Sequence, residues 1–205
     1  MARVAILGGT FDPIHLGHLA AAQGVVHLAG VERVIFLPNR EPPHKAGQPV
    51  TPAIHRAAMV RLAIAGNPSF EFSDLELRRE GPSYTVETVR ALQAQHPDWE
   101  AAFIIGMDSL LEITTWREYQ TLLQMTDWLV VTRPGYDLDR GRQMLADLGP
   151  RLAARIRVLE IPGVAVSSTR LRQLAATGYP LRYLVPDAVV AYIEEHGLYR
   201  GKDPA

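Results

Sequence analysis

Short apolar runs, each ended by glycine or proline, alternate along this chain with stretches of helical periodicity. That alternation restricts the fold more than any other feature. Residues 4–7 read as a buried strand that opens straight into Gly8-Gly9-Thr10. Residues 16–28 are Ala-rich and apolar and read as a helix, and residues 34–37 as a second strand stopped by Pro38. Five prolines between 38 and 52 mark a loop. Thr51-Pro52 offers an N-cap and a first helical residue, and the helix it starts ends at Gly66-Asn67-Pro68. Phe70 and Phe72 alternate with polar residues, so a third strand is expected there, extended toward Leu77. A helix over 85–95, a strand over 103–105 and one or two short helices over 109–125 follow. Then come a strand over 128–131, a polar helix over 138–148, a strand over 157–161, and helices over 168–176 and 187–196. A strand–helix alternation repeated about five times predicts an α/β fold: one doubly wound, mostly parallel, Rossmann-like sheet with helices on both faces. One domain is expected over residues 1–205, with a helical portion at about 167–198 packed on it and a tail over 199–205.

In such sheets ligands sit at the carboxyl ends of the strands, so the residues just after each strand carry the functional information. After the first strand stands Gly8-Gly9-Thr10-Phe11-Asp12-Pro13-Ile14-His15-Leu16-Gly17-His18. Two glycines let a ligand approach the backbone, and a helix starting there points its amides at the same place, which suits a phosphate. The order of glycines is not the dinucleotide fingerprint G-x-G-x-x-G, and no Walker A loop is present, so hydride transfer and P-loop hydrolysis lose support. His15 and His18 stand three apart and fall on one side of a helix start. A zinc site would need a third ligand, and Asp12 is the nearest carboxylate; imidazoles donating to phosphate oxygens fit better. Two structural histidines at a helix entry are the plain alternative.

Composition sharpens this. The chain has no cysteine, which removes thiolate catalysis and cysteine-held metal sites. Its 21 basic and 22 acidic residues give a net charge of −1, unlike a general nucleic-acid binder. The 19-residue uncharged stretch from 13 to 31 holds three histidines and three glycines, so no membrane span is expected. A cytoplasmic location is expected, with no secretory leader at the N-terminus. Positive charge gathers in two islands. Residues 39–61 carry Arg40, Lys45, Arg56 and Arg61 against Glu41; residues 161–186 carry Arg170, Arg172 and Arg182 and no acid. Only two of the basic residues are lysine, Lys45 and Lys202.

Gly9-Thr10-Phe11-Asp12-Pro13 with His15-x-Gly17-His18 resembles the nucleotidyltransferase superfamily signature G-[ST]-F-D-P-x-[HT]-x-G-H. Val166-Ser167-Ser168-Thr169-Arg170-Leu171-Arg172 resembles its second hallmark, I-S-S-T-x-[IL]-R, with Val for the leading Ile. Among these enzymes the chain most resembles the bacterial nicotinate-nucleotide adenylyltransferases. Pro42-Pro43-His44-Lys45, Ser83-Tyr84-Thr85, Gly106-Met107-Asp108-Ser109-Leu110 with Trp116, and Arg133-Pro134-Gly135 carry that choice. The resemblance covers nearly the whole chain, from Val4 to about His196.

The resemblance implies transfer of the adenylyl group of ATP to nicotinate mononucleotide, with release of pyrophosphate, as a step toward NAD. It implies that His15, His18, Lys45 and Arg172 act in catalysis, with His18 stabilising the transition state. Gly8, Gly9, Thr10, Phe11, Gly17, Gly106, Asp108, Ser167, Ser168 and Thr169 would bind ATP. Asp12, His44, Thr85, Trp116 and Arg133 would serve the acceptor, Trp116 by stacking on the nicotinate ring. Mg²⁺ would be held mainly by the ATP phosphates and water. Nicotinamide mononucleotide or phosphopantetheine as acceptor, and a nucleotide-binding regulator without catalysis, are the alternatives. A homo-oligomer stays open.

Overall fold

A computed structural model describes residues 2–43, 47, 49–132 and 138–201. His44, Lys45 and Arg133 lie outside the described residues. Six strands form one sheet: β1 (Ala2–Gly9), β2 (Arg33–Pro38), β3 (Phe70–Phe72), β4 (Trp99–Gly106), β5 (Asp127–Thr132) and β6 (Ile156–Glu160). Their order is β3-β2-β1-β4-β5-β6, and every neighbouring pair is parallel.

The reason the strands read as continuous apolar runs is burial on both faces. Alternate residues of one strand feed two separate cores. Ala5, Leu7, Val34, Phe36, Ile104 and Leu129 belong to one cluster; Val4, Ile6, Ile35, Leu37, Phe103, Ile105, Trp128 and Val130 belong to the other. Helices α1 (Leu16–Ala29), α2 (Ala53–Ile64), α8 (Ser168–Ala176) and α9 (Asp187–Glu195) cover the first face. Helices α3 (Thr85–Gln95), α4 (Met107–Leu111), α5 (Tyr119–Met125) and α6 (Asp139–Leu148), with the short α7 (Pro150–Ala153), cover the second. The chain leaves β1 for one face and β4 for the other. The crevice between the ends of these two adjacent strands is the switch point of the sheet.

Several boundaries differ from the sequence reading. The third strand stops at Phe72 and the chain turns at once, because Ser73 N–H donates back to Phe36 C=O and Ser73 Oγ accepts from Leu75 N–H. Thr51 does not cap α2: Pro52 takes that place, and Thr51 N–H is drawn instead to Asp12 Oδ2 at 3.2 Å. The segment 109–125 is α4, a single 3-10 turn at Ile113–Thr115, and α5. Tyr199, expected in a tail, packs inward, and its hydroxyl donates to Asp12 Oδ1 at 2.6 Å.

Gly24, in the middle of α1, shows how close the layers come. A methyl group there would stand 2.6 Å from Ile161 Cγ2, in the segment just after β6.

Candidate active site

A cavity of about 840 Å³ opens at the carboxyl ends of β1 and β4. That is within the range of small-molecule sites. One side is built by the turn after β1 and the starts of α1 and α8; the other by the ends of β4 and β5, the start of α3 and the stretch from α4 to Trp116. Three long helices therefore begin at the cavity: α1 beside His15, Gly17 and His18, α3 at Thr85, and α8 at Ser168. Their first-turn amides and partial positive charge favour an anion in the space between them.

The histidine pair sits where β1 hands over to α1. The two rings stack with centroids 3.7 Å apart and planes 22° from parallel. His15 N–H donates to His18 Nδ1 at 3.2 Å. An accepting Nδ1 makes His18 the tautomer that carries its proton on Nε2, the atom left to donate outward. Burial lowers the His15 pKa to about 4. Burial, and then the neighbouring His15 ring, hold His18 well below the ordinary imidazole value. Both rings are therefore neutral at pH 7, and they bring hydrogen bonds to the site without net charge. His15 Nδ1 is buried without a hydrogen-bond partner among the described residues. It presses on Gly17, where a Cβ would stand 3.0 Å from Nδ1 and 3.1 Å from Cε1. The glycine between the histidines is thus a matter of space, since its φ is not left-handed.

Twelve residues expected in the site line the cavity. These are Gly8, Gly9, Thr10, His15, Gly17, His18, Thr85, Gly106, Asp108, Trp116, Ser167 and Ser168. Four others are not among the residues that line it, Phe11 and Asp12 being buried, Arg172 half-buried and Thr169 exposed. Phe11, with φ at +49°, turns its ring under Gly9 and against the edge of His18, with centroids 5.1 Å apart. Asp12 is buried, with its carboxylate taken by Thr51 N–H and the Tyr199 hydroxyl. Arg172 Nη1 donates to Asp12 C=O at 2.8 Å, and its Nη2 donates to Thr169 Oγ1 at 3.4 Å. Phe11, Asp12 and Arg172 make contacts that shape the loop after β1. The two serines of the second motif are also partly committed. Ser167 caps α8 by accepting from Arg170 N–H, and Ser168 Oγ donates to Pro13 C=O at 2.9 Å, joining the two motifs directly.

Among the described residues, several arginines of the two cationic islands are committed away from the cavity. Arg56 is buried in the scaffold, Arg61 lies 3.6 Å over the Phe72 ring, and Arg40 reaches Arg79 C=O. Arg182 pairs with Asp187 at 3.7 Å. Among the described residues the permanent cation on the cavity wall is Arg117. It lies 4.6 Å over the Tyr84 ring and 3.4 Å from Glu87. Among the described residues, helix starts and neutral imidazoles stand beside this arginine as groups that can meet an anion.

Across the cavity Trp116 is half-buried, meets Trp128 edge-on at 6.1 Å and leaves part of its indole to the cavity. Glu76, also on the wall, accepts from the Thr88 hydroxyl, and burial raises its pKa. Ser83 Oγ accepts from Arg40 N–H at 3.1 Å. Asn39, Glu76, Glu112 and Arg117 line the cavity without having been picked from the sequence. Asn39 follows β2 directly and Arg117 follows Trp116, so the rule that sites gather after strand ends points to the first, and adjacency to an aromatic wall residue to the second. No group of three His, Cys, Asp or Glu side chains among the described residues is placed to hold a metal ion.

Residues 6–174 match the family model described as cytidylyltransferase-like. A protein of Symbiobacterium thermophilum named probable nicotinate-nucleotide adenylyltransferase is 77% identical over 199 residues, which are 97% of this chain and 96% of that one. One of the same name from Desulfitobacterium hafniense is 43% identical over 198 residues, again 97% and 96% of the two chains. The solved structure of Plasmodium falciparum nicotinic acid mononucleotide adenylyltransferase complexed with NaAD superposes with a TM-score of 0.81 at 19% identity, covering 97% of this chain and 98% of that one. At that identity the superposition speaks for the fold. With the family model, the full-length relatives and the two motifs joined at one cavity, the chain belongs to the cytidylyltransferase-like family and, within it, to the nicotinate-nucleotide adenylyltransferases.

Proposed function

We propose that the protein transfers the adenylyl group of ATP to nicotinate mononucleotide, forming nicotinate adenine dinucleotide and pyrophosphate. The observation that carries this reading is the convergence of three helix starts and a neutral histidine pair on one cavity at the switch point of the sheet. The attacking phosphate of the acceptor is already an anion, so no general base is required. What the reaction needs is two polyanions held in line and the charge of the transferring phosphoryl group met by fixed donors.

The chain's own groups are suited to that. His18 Nε2–H is a preset donor for a non-bridging oxygen of the α-phosphate, and its neutral state spares the site a proton-transfer step. Gly8 and Gly9 let the nucleotide lie against β1. The α8 start at Ser167 and Ser168 receives the leaving pyrophosphate, with Lys45 assigned to the same phosphates by the motif. Gly106 and Asp108 at the end of β4 stand at the ribose and adenine. Trp116 offers a ring face and α3 a helix start at Thr85, which suits an acceptor that joins an aromatic ring to a carboxylate.

Magnesium ions prefer to keep waters and to bind through substrate phosphates. Among the described residues no three His, Cys, Asp or Glu side chains gather to hold an ion, and the proposed ion arrives with ATP, held mainly by phosphate oxygens and water. When bound it would neutralise charge on the triphosphate. No helix among the described residues is long and apolar enough to cross a membrane, and the proposed setting is the cytoplasm.

Labelled ATP tests the bond that breaks. Label in the α-phosphate should move into the dinucleotide product, and label in the γ-phosphate should leave as pyrophosphate. Transfer of the γ-label to the acceptor would make the protein a kinase and end this reading.

A further inference from the structure

Arg56 is the largest buried side chain that carries a charge, with 1% of its surface exposed. It lies on α2 and forms no close ion pair among the described residues. Its guanidinium instead gathers backbone carbonyls from three separate stretches of chain. Nε donates to Thr51 C=O at 2.8 Å. Nη1 donates to Thr10 C=O and to Asn39 C=O, each at 2.8 Å, with Asn39 Oδ1 at 3.3 Å. Nη2 donates to Arg40 C=O at 3.0 Å. Thr10 belongs to the turn after β1; Asn39 with Arg40, and Thr51, are the two stems of the proline-rich loop. Asp12 closes the same assembly, since its carboxylate takes Thr51 N–H and the hydroxyl of Tyr199.

The grip reaches both halves of the cavity. In the peptide joining Asn39 to Arg40, the carbonyl is held by Arg56 and the N–H by Ser83 Oγ. A planar trans peptide points these two groups in opposite directions, so one rigid unit links the β1 turn to the Ser83–Thr85 segment across the site. Burying a guanidinium is a poor way to gain stability, because desolvation offsets the attraction. What a planar fork of five donors supplies is geometry, and a lysine cannot reproduce it.

We propose that Arg56 is a positioning residue for the transfer reaction, fixing the nucleotide turn, both loop stems and the acceptor-side segment in one frame, with Asp12 and Tyr199 bracing that frame from the C-terminal side. The inference rests on the adenylyl-transfer reading. Arg56 is not among the residues that line the cavity, so its loss should appear in kcat more than in KM. A misplacement of about 1 Å in such a frame is worth on the order of a hundredfold in rate.

The test uses Arg56→Lys and Tyr199→Phe in the full-length protein. Each is measured for kcat, for KM of ATP and of nicotinate mononucleotide, and for the folded fraction from its thermal melt. Arg56→Lys is expected to lower kcat per folded molecule about 30- to 100-fold with each KM within about 3-fold. Tyr199→Phe is expected to lower kcat about 5-fold, and the double variant to resemble Arg56→Lys alone, because the two act through one assembly. A lower melting temperature with wild-type kcat per folded molecule in Arg56→Lys would assign it a structural role only and overturn the proposal. Should Arg56→Lys fail to fold, Tyr199→Phe decides, and wild-type kcat there overturns it equally. Wild-type protein without transfer activity would remove the functional reading first, and this inference with it.

Discussion

At the scale of single residues the site depends on hydrogen bonds held in place rather than on charge. His18 accepts from His15 N–H on Nδ1 and so carries its proton on Nε2, in a ring that lines the cavity. Replacing His18 by Ala should lower kcat by at least ~10²-fold with little change in KM, the size expected for a lost transition-state donor. Steady-state kinetics with a wild-type kcat would remove that role. The same pair has a consequence for stability. The folded-state pKa of His15, about 4, is below its unfolded value, so the unfolded chain binds more protons between the two. Stability is therefore full above about pH 6.5 and is lost as pH falls toward 4, by up to about 3 kcal/mol for this residue. Urea melts at pH 7 and pH 5 should show the loss, and His15→Gln should flatten it. An equal slope in the variant would mean that other groups carry it. The motif residues were legible because their spacing is local: a strand end, two glycines and a helix entry lie within a dozen positions. Phe11 and Asp12 stand in the same motif yet are buried, holding the loop, and no sequence pattern separates a residue that lines a cavity from one that holds the loop.

At the scale of elements, the handover from β1 to α1 sets how closely everything else can pack. Gly17→Ala would drive a methyl group into the His15 ring, whose nearest atoms stand 3.0 and 3.1 Å from it. The ring must tilt, and kcat should fall about tenfold or more while the fold survives. Gly24→Ala acts elsewhere, pressing α1 off Ile161, where the methyl would stand 2.6 Å from Cγ2. It should cost about 1–3 kcal/mol of stability. Comparing the two by denaturant titration and by rate separates a site glycine from a packing glycine; a large rate loss in Gly24→Ala with unchanged stability would refute the distinction. Helices α3 and α8 carry the bounds read from sequence, because each has a clear polar start and a periodic apolar face. Thr51 shows the limit. It has the chemistry of an N-cap, but Asp12, 39 positions away, draws its N–H into the loop-stem assembly instead.

At the scale of the whole molecule, the doubly wound sheet was legible from periodicity because both of its faces are covered. Strands buried on both sides lose polar alternation and read as solid apolar runs. The electrostatics were not legible in the same way. Positive charge gathers in two islands along the sequence, and the fold sends Arg56 into the interior, Arg61 onto an aromatic ring and Arg182 to an aspartate. Among the described residues, three helix starts and two neutral imidazoles meet at the cavity, so a net charge of −1 does not exclude a site for an anion. Trp116, Thr85 and the start of α3 line one side of the cavity, where we propose that the acceptor's aromatic ring and carboxylate bind. The most direct test supplies purified protein with ATP, Mg²⁺ and one of three acceptors: nicotinate mononucleotide, nicotinamide mononucleotide or phosphopantetheine. Initial rates of pyrophosphate release then give kcat/KM for each. The expected result is the highest kcat/KM for nicotinate mononucleotide, at least about tenfold above its amide, a discrimination of roughly 1.4 kcal/mol. No release with nicotinate mononucleotide, or a faster reaction with either of the other two, would contradict the account.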